Sequence, residues 1–238
     1  ATYEKLLTLC SGKEDELLQA HSIEEIALMR EKMGQTEDGE KKAKEALAIF
    51  ERNQNDKGIA DCLKLLGNLA GSNDREEEAV GYYQRATERY KAAQDVHGQA
   101  NCQYNLALSY RRMKQHEKAI VSFQDAIASY TQSSSVTGVG IANMEMGNTY
   151  LATGDLAKAE ASLLLARSLL TKSGCIARLA QADESLARLR LAQGKVKEAA
   201  AHYEDAIAHY ESVKMTDEAQ QARRLLDKVR AGDKPVAP

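Results

Sequence analysis

Proline is almost missing from this chain of 238 residues. Its 2 prolines, Pro235 and Pro238, both lie at the C-terminal end, so nothing in the body interrupts a long helix. Tryptophan is absent, and no apolar run approaches the length of a membrane span. No run of Lys or Arg stands apart from balancing acids, and the formal net charge is -3. Phosphate binding needs a basic face, so no nucleic acid is expected as a partner. There is no P-loop, no dinucleotide fingerprint and no H-E-x-x-H motif, so neither an enzyme activity nor a cofactor is expected.

Cysteine is scarce as well. The 4 cysteines are Cys10, Cys62, Cys102 and Cys175, and none forms a C-x-x-C pair. Cys62 and Cys102 share one position 40 residues apart, as small buried residues would where neighbouring helices touch. Reduced thiols and the absence of an opening signal peptide point to the cytoplasm. The chain opens on Ala1 rather than methionine, as a trimmed or excised domain would. His202 and His209 lie seven apart and share a helix face, but without a carboxylate or cysteine beside them they read as surface decoration. Stable sites want three or four ligands, so no metal is expected.

What the chain does have is a period. Ala79, Ala119, Ala159 and Ala199 are each 40 residues apart. Tyr90, Tyr130, Leu170 and Tyr210 form a second column, and Gly67, Ala107, Gly147 and Ala187 a third. Such a period marks a solenoid, in which each unit packs only on its neighbours. Each unit reads as two helices. Ala100, Leu106, Ala107 and Tyr110 mark one apolar stripe, and Ala119, Ile120, Phe123, Ala126, Ile127 and Tyr130 a second. Gly98, Gly138 and Gly174 are expected at or near unit ends.

The expected architecture is all-α: a right-handed superhelical solenoid of antiparallel helix pairs. It forms one domain over residues 1–232, with about five pairs at 14–53, 59–98, 99–138, 139–177 and 178–216. A short extra helix is expected within residues 1–12, a capping helix over 217–230 and a flexible tail over 231–238.

These columns resemble the tetratricopeptide repeat. Leu63, Leu66-Gly67, Ala79, Tyr83 and Ala86 supply its pattern in one unit. Leu106-Ala107, Tyr110, Ala119, Phe123 and Ala126 supply it in the next, and Met146-Gly147, Tyr150, Ala159, Leu163 and Ala166 follow. The last unit has Leu186-Ala187, Ala199, Tyr203 and Ala206, but Arg190 in place of the Tyr. The usual period is about 34 residues. The Pro that usually ends the second helix is replaced by Lys91, Thr131, Thr171 and Glu211, so those helices are expected to run on. The longer unit is similar to those of Pins-type adaptors, kinesin light chains, rapsyn and the soluble NSF attachment proteins.

The resemblance implies a protein-binding groove lined by the first helices. The candidate contacts are Lys64 and Asn68 in the second unit, and Asn101, Tyr104, Asn105, Leu108, Arg111 and Arg112 in the third. Met144 and Asn148 follow in the fourth, and Arg188 in the fifth. Beside them stand His21, Glu24, Leu28, Glu31, Asp61, Ile141, Leu151, Gln181 and Glu184. Asn side chains suit a peptide backbone, and the positive groups would suit a carboxylate. Some arrays of the family grip a C-terminal carboxylate; Lys64, Asn68 and Asn105 match that clamp, but Ile141 and Glu145 stand where bases are needed. The expected function is a non-enzymatic scaffold or adaptor that binds a peptide or helical segment of another protein. The alternatives are a vesicle-fusion adaptor similar to the soluble NSF attachment proteins, binding through a flank, and a regulatory sensor gating a domain outside this chain.

Overall fold

The structure, a computed structural model, describes residues 13–232. The helix expected within residues 1–12, Cys10, and residues 233–238 of the expected tail lie outside the described residues. The described chain forms α1 (Lys13–Lys32), α2 (Thr36–Arg52), α3 (Asp56–Ser72), α4 (Glu76–Ala92), α5 (Val96–Arg112) and α6 (His116–Gln132). It continues with α7 (Val136–Thr153), α8 (Leu156–Ser173), α9 (Ile176–Ala192), α10 (Val196–Ser212) and α11 (Thr216–Ala231). The chain is all-α, built of antiparallel helix pairs. It divides into two compact units, which meet in sequence between Ser129 and Tyr130.

The connectors explain the period. Helices α3 to α6 have 17 residues each, and three-residue connectors between them complete the 40. A residue with positive φ recurs every 20 positions: Gly34, Gln54, Asp74, Gln94, Lys114, Ser134, Gly154, Gly174, Gly194 and Lys214. Each closes a helix in the same way. The N–H of Asn55 donates to the Phe50 carbonyl at 3.0 Å, and that of Gln54 to the Glu51 carbonyl at 3.1 Å. These paired bonds satisfy carbonyls that the end of a helix leaves open. At several connectors the side chain of the next residue then caps the following helix. Asn55 accepts from the Gly58 N–H at 2.8 Å, Asp95 from Gly98 at 2.8 Å and Ser135 from Gly138 at 3.3 Å. For this reason α3, α5 and α7 begin at Asp56, Val96 and Val136, three residues before the expected 59, 99 and 139. The second helices run through Lys91, Thr131, Thr171 and Glu211, where no proline stops them.

The left-handed residue is costly where it carries a side chain, by about 1–2 kcal/mol. Lys114 has φ 59°, while Gly154 takes the equivalent place at φ 81° without that cost. Lys114→Gly is therefore expected to stabilise the protein by about 0.5–1 kcal/mol, because glycine's own entropic cost offsets part of the relief. Thermal melts measure it. A Lys114→Gly melt at or below wild type would mean that strain at the connector is already relieved.

In unit 1 the core runs from Ala20, Ile23 and Ala27 through Phe50, Leu63 and Leu66 to Tyr90 and Cys102. In unit 2, Leu163, Leu170, Leu186 and Leu189 form one apolar cluster and Tyr203, Tyr210 and Leu226 another. The small columns are fully buried: Ala79, Ala86, Ala119 and Ala126 in unit 1, Ala159, Ala166, Ala199 and Ala206 in unit 2. Arg190, which breaks the Tyr column, is buried and answered by Glu160 at 2.7 Å and Glu198 at 3.1 Å.

Gly98 and Gly138 do not close units. They lie in the first turns of α5 and α7, and each leaves a notch for a ring. A Cβ on Gly98 would lie 2.4 Å from Tyr90 Cδ1, and one on Gly138 would lie 2.5 Å from Tyr130 Cδ1. Gly58 leaves the same notch for Phe50.

Candidate functional site

On the first helices of unit 1, half-buried polar groups gather on one face. Lys64 Nζ donates to Asp61 Oδ1 at 3.1 Å and to the Tyr90 hydroxyl at 2.9 Å. The ammonium also lies 5.5 Å from the Tyr90 ring centre. The Tyr90 hydroxyl in turn donates to Asp61. Glu24 stands beside them on α1, its side chain 20% exposed. Burial first, then the charge of Asp61, push its carboxyl up to about 7 against the pull of Lys64.

A polar ladder continues along the same face. Asn68 Oδ1 accepts from the Tyr83 hydroxyl at 2.9 Å and from Asn105 Nδ2 at 3.3 Å. Asn68 also bonds Glu31, whose carboxyl burial still pushes up. Tyr104 packs at a tilt on Phe123, ring centres 5.9 Å apart. Asn101, Leu108 and Arg111 are half-buried nearby on α5. Arg112 is exposed and donates to Glu76 Oε1 at 3.0 Å. Lys64 and Arg112 each pair with a carboxylate of their own chain, Asp61 and Glu76. The face presents acid, amide and aromatic groups beside the cations Lys64, Arg111 and Arg112.

In unit 2 the expected residues separate. Met144 is 2% exposed and belongs to the core with Ala159, Leu163 and Ala166, so it is corrected from a contact to a packing residue. It shares a column with Lys64, Tyr104 and Glu184. An unbranched apolar side chain folds inward at a position where a charged head reaches for water. Arg188 Nη2 donates to Asn148 Oδ1 at 3.4 Å and to Ser185 Oγ at 3.1 Å. The Tyr210 hydroxyl donates to Glu184 at 2.9 Å, and burial pushes that carboxyl up. The pairing of a second-helix tyrosine with a first-helix acid thus appears in both units. The column Tyr90, Tyr130, Leu170 and Tyr210 signalled packing and gave no sign of it.

A further correction concerns the histidines. His202 and His209 do have a carboxylate beside them: Asp183 of α9, with His209 Nδ1 at 3.0 Å from its Oδ2. Cys62 and Cys102 are fully buried, and burial pushes the Cys102 thiol up to about 12 and the Cys62 thiol up as well. Both are packing residues. Among the described residues no helix is long and apolar enough to cross a membrane.

Two family profiles, both described as tetratricopeptide repeat, match the chain, over residues 16–92 and 101–133. Those two stretches carry tetratricopeptide repeats. The chain is similar to Tetratricopeptide repeat protein 29 of Trypanosoma brucei brucei, 31% identical over 114 residues, which is 48% of this chain and 24% of the relative. The match therefore spans about a quarter of the length of that curated relative. Among solved structures the chain is similar to BtubC (BKLC) from P. vanneervenii, with TM-score 0.74 and 20% identity, covering 84% of this chain and 83% of that one. It is also similar to the Rap conjugation gene regulator of the plasmid pLS20, solved in complex with the Phr* peptide. There the TM-score is 0.68 and the identity 16%, covering 89% of this chain and 59% of the other. At these identities the likeness is one of fold. The repeats depart from the usual period of about 34 residues in their 20-residue connector spacing, which sets both helices of a pair to nearly equal length.

Proposed function

We propose that this chain is a non-catalytic interaction module, a scaffold or adaptor, whose first-helix face in unit 1 holds a segment of another protein. The observation that carries this reading is the placement of Glu24, Glu31, Asp61, Asn68 and Asn105 together, half-buried, on one face. Carboxyls pushed up by burial oppose stability, and groups kept at such a cost mark sites more often than scaffolding. The likeness to a peptide-bound regulator of the same fold supports a peptide or helical segment as the ligand. The amides of Asn68 and Asn105 suit a peptide backbone, and Tyr104 and Leu108 suit an apolar side chain. Glu24 suits a basic residue in that segment. Buried free thiols at Cys62 and Cys102 suit a reducing compartment such as the cytoplasm.

A photo-reactive residue at position 104, compared with one at exposed position 88, tests the face. Cross-linking from 104 should capture the partner, and 88 should not. Once the partner is in hand, Tyr104→Ala should cost about 2 kcal/mol of binding, or about 30-fold, as aromatic anchors do. Glu88→Lys should change it by less than about 0.5 kcal/mol. The opposite ranking, with circular dichroism showing both variants folded, would move the site to the flank.

A further inference from the structure

Unit 2 holds a cluster that the binding face does not use. Asp183 is 0% exposed in the middle of α9. Arg167 of α8 reaches it, with Nε donating to Asp183 Oδ1 at 2.6 Å, and bridges to Asp205 Oδ2 through Nη2 at 3.2 Å. On α10, His202, Asp205 and His209 follow at helical spacing and share one face. His209 Nδ1 lies 3.0 Å from Asp183 Oδ2. His202 Nδ1 lies 3.8 Å from Asp183 Oδ1, too far for a hydrogen bond. That nitrogen is buried and has no hydrogen-bond partner among the described residues.

We propose that Asp183, His202 and Asp205 bind a divalent transition-metal ion, zinc by ligand type, in exchange for the Arg167 guanidinium. One ligand atom from each of the three lies within 4.8 Å of the others. Two ligands at the usual ~2.0–2.1 Å from a tetrahedral ion stand about 3.3 Å apart, so the 3.8 Å between His202 and Asp183 closes with a small shift. Imidazole with carboxylate selects zinc, cobalt or nickel over magnesium and calcium, which take oxygen ligands. His209 holds the other oxygen of Asp183, the outer-shell partner that fixes a ligating carboxylate. Three protein ligands leave a fourth position to water.

The charges support the exchange. Arg167 offsets only one of the two carboxylate charges; a divalent ion offsets both. Its side chain is 39% exposed, so the guanidinium has a solvated position to move to. It is therefore a built-in competitor, and its removal should help the metal while a merely structural cluster would lose its ion pair.

The test is isothermal titration of the chelator-treated full chain with zinc chloride, and with cobalt chloride to read tetrahedral absorption bands. One zinc per chain is expected, with magnesium silent. His202→Ala and Asp205→Asn, both at accessible α10 positions, should each weaken zinc at least about tenfold. Arg167→Met should tighten it. Circular dichroism confirms that each variant is folded. No zinc heat at millimolar metal, zinc binding unchanged in folded His202→Ala, or weaker binding in Arg167→Met would each overturn the assignment.

Discussion

Tyr90→Ala is expected to lower the unfolding free energy by about 3–5 kcal/mol, the cost of emptying a buried aromatic site. The ring is 1% exposed and fills the notch of Gly98. Its hydroxyl is tied to Asp61 and accepts from Lys64, so the ring has no free direction in which to move. Gly98→Ala should then cost about 1–3 kcal/mol by overpacking. That cost appears although alanine is the better helix former by about 1 kcal/mol. In the Tyr90→Ala background the clash is gone, and the same Gly98→Ala should turn neutral or stabilising by up to about 1 kcal/mol. Thermal or urea unfolding of the four proteins closes the cycle. A Gly98→Ala cost that persists undiminished without the ring would show that the glycine serves something other than Tyr90.

This pair also shows where sequence stops. The helix-pair architecture is legible because the sequence repeats: Ala79 and Ala119 in unit 1, and Ala159 and Ala199 in unit 2, hold one column of the sequence and each is fully buried in its own unit. Gly98 reads as a turn residue by type, and only the fold shows that its missing Cβ faces a ring eight residues back. The 20-residue connector spacing was hidden for a similar reason. Gln54, Asp74, Lys114 and Ser134 share a left-handed conformation but no side-chain chemistry. What imposes it is the pair of backbone hydrogen bonds at the helix end.

The candidate site was half legible. The family resemblance places Lys64, Tyr104, Met144 and Glu184 in one column, and the structure gives each a different fate. Lys64 pairs with Asp61, Tyr104 leans on Phe123, Met144 enters the core and Glu184 takes the Tyr210 hydroxyl. Column position sets where the Cα lies; the chemistry of each side chain decides whether it turns inward. Of the Asp183 cluster only the shared face of His202 and His209 was legible, since its ligating groups come from two helices and its competitor, Arg167, from a third.

Glu24→Gln is expected to stabilise the protein at pH 8 by about 1–3 kcal/mol and to change almost nothing at pH 4. The carboxyl moves from an ordinary 4.5 to about 7 on folding, chiefly through burial. Below 4.5 the folded and unfolded chains both hold the proton, so the group does not discriminate between them. Between 4.5 and about 7 the unfolded chain gives up its proton first, and the folded state loses stability as pH rises. Above about 7 the full penalty remains, with a ceiling of about 3 kcal/mol for this interval. Glutamine keeps the shape and removes the charge. Melting temperatures of wild type and variant across about pH 4 to pH 9 measure the difference; a constant gap would mean that the carboxyl is not shifted by folding. The same group then reports on the partner. A basic residue docked beside Glu24 holds it ionised, so binding releases a proton, and wild-type affinity should rise between about pH 6 and pH 8. Glu24→Gln should bind more weakly with no such rise, a more stable protein that has lost part of its recognition. Equal pH dependence in the two proteins would remove Glu24 from the contact and with it the expectation of a basic segment.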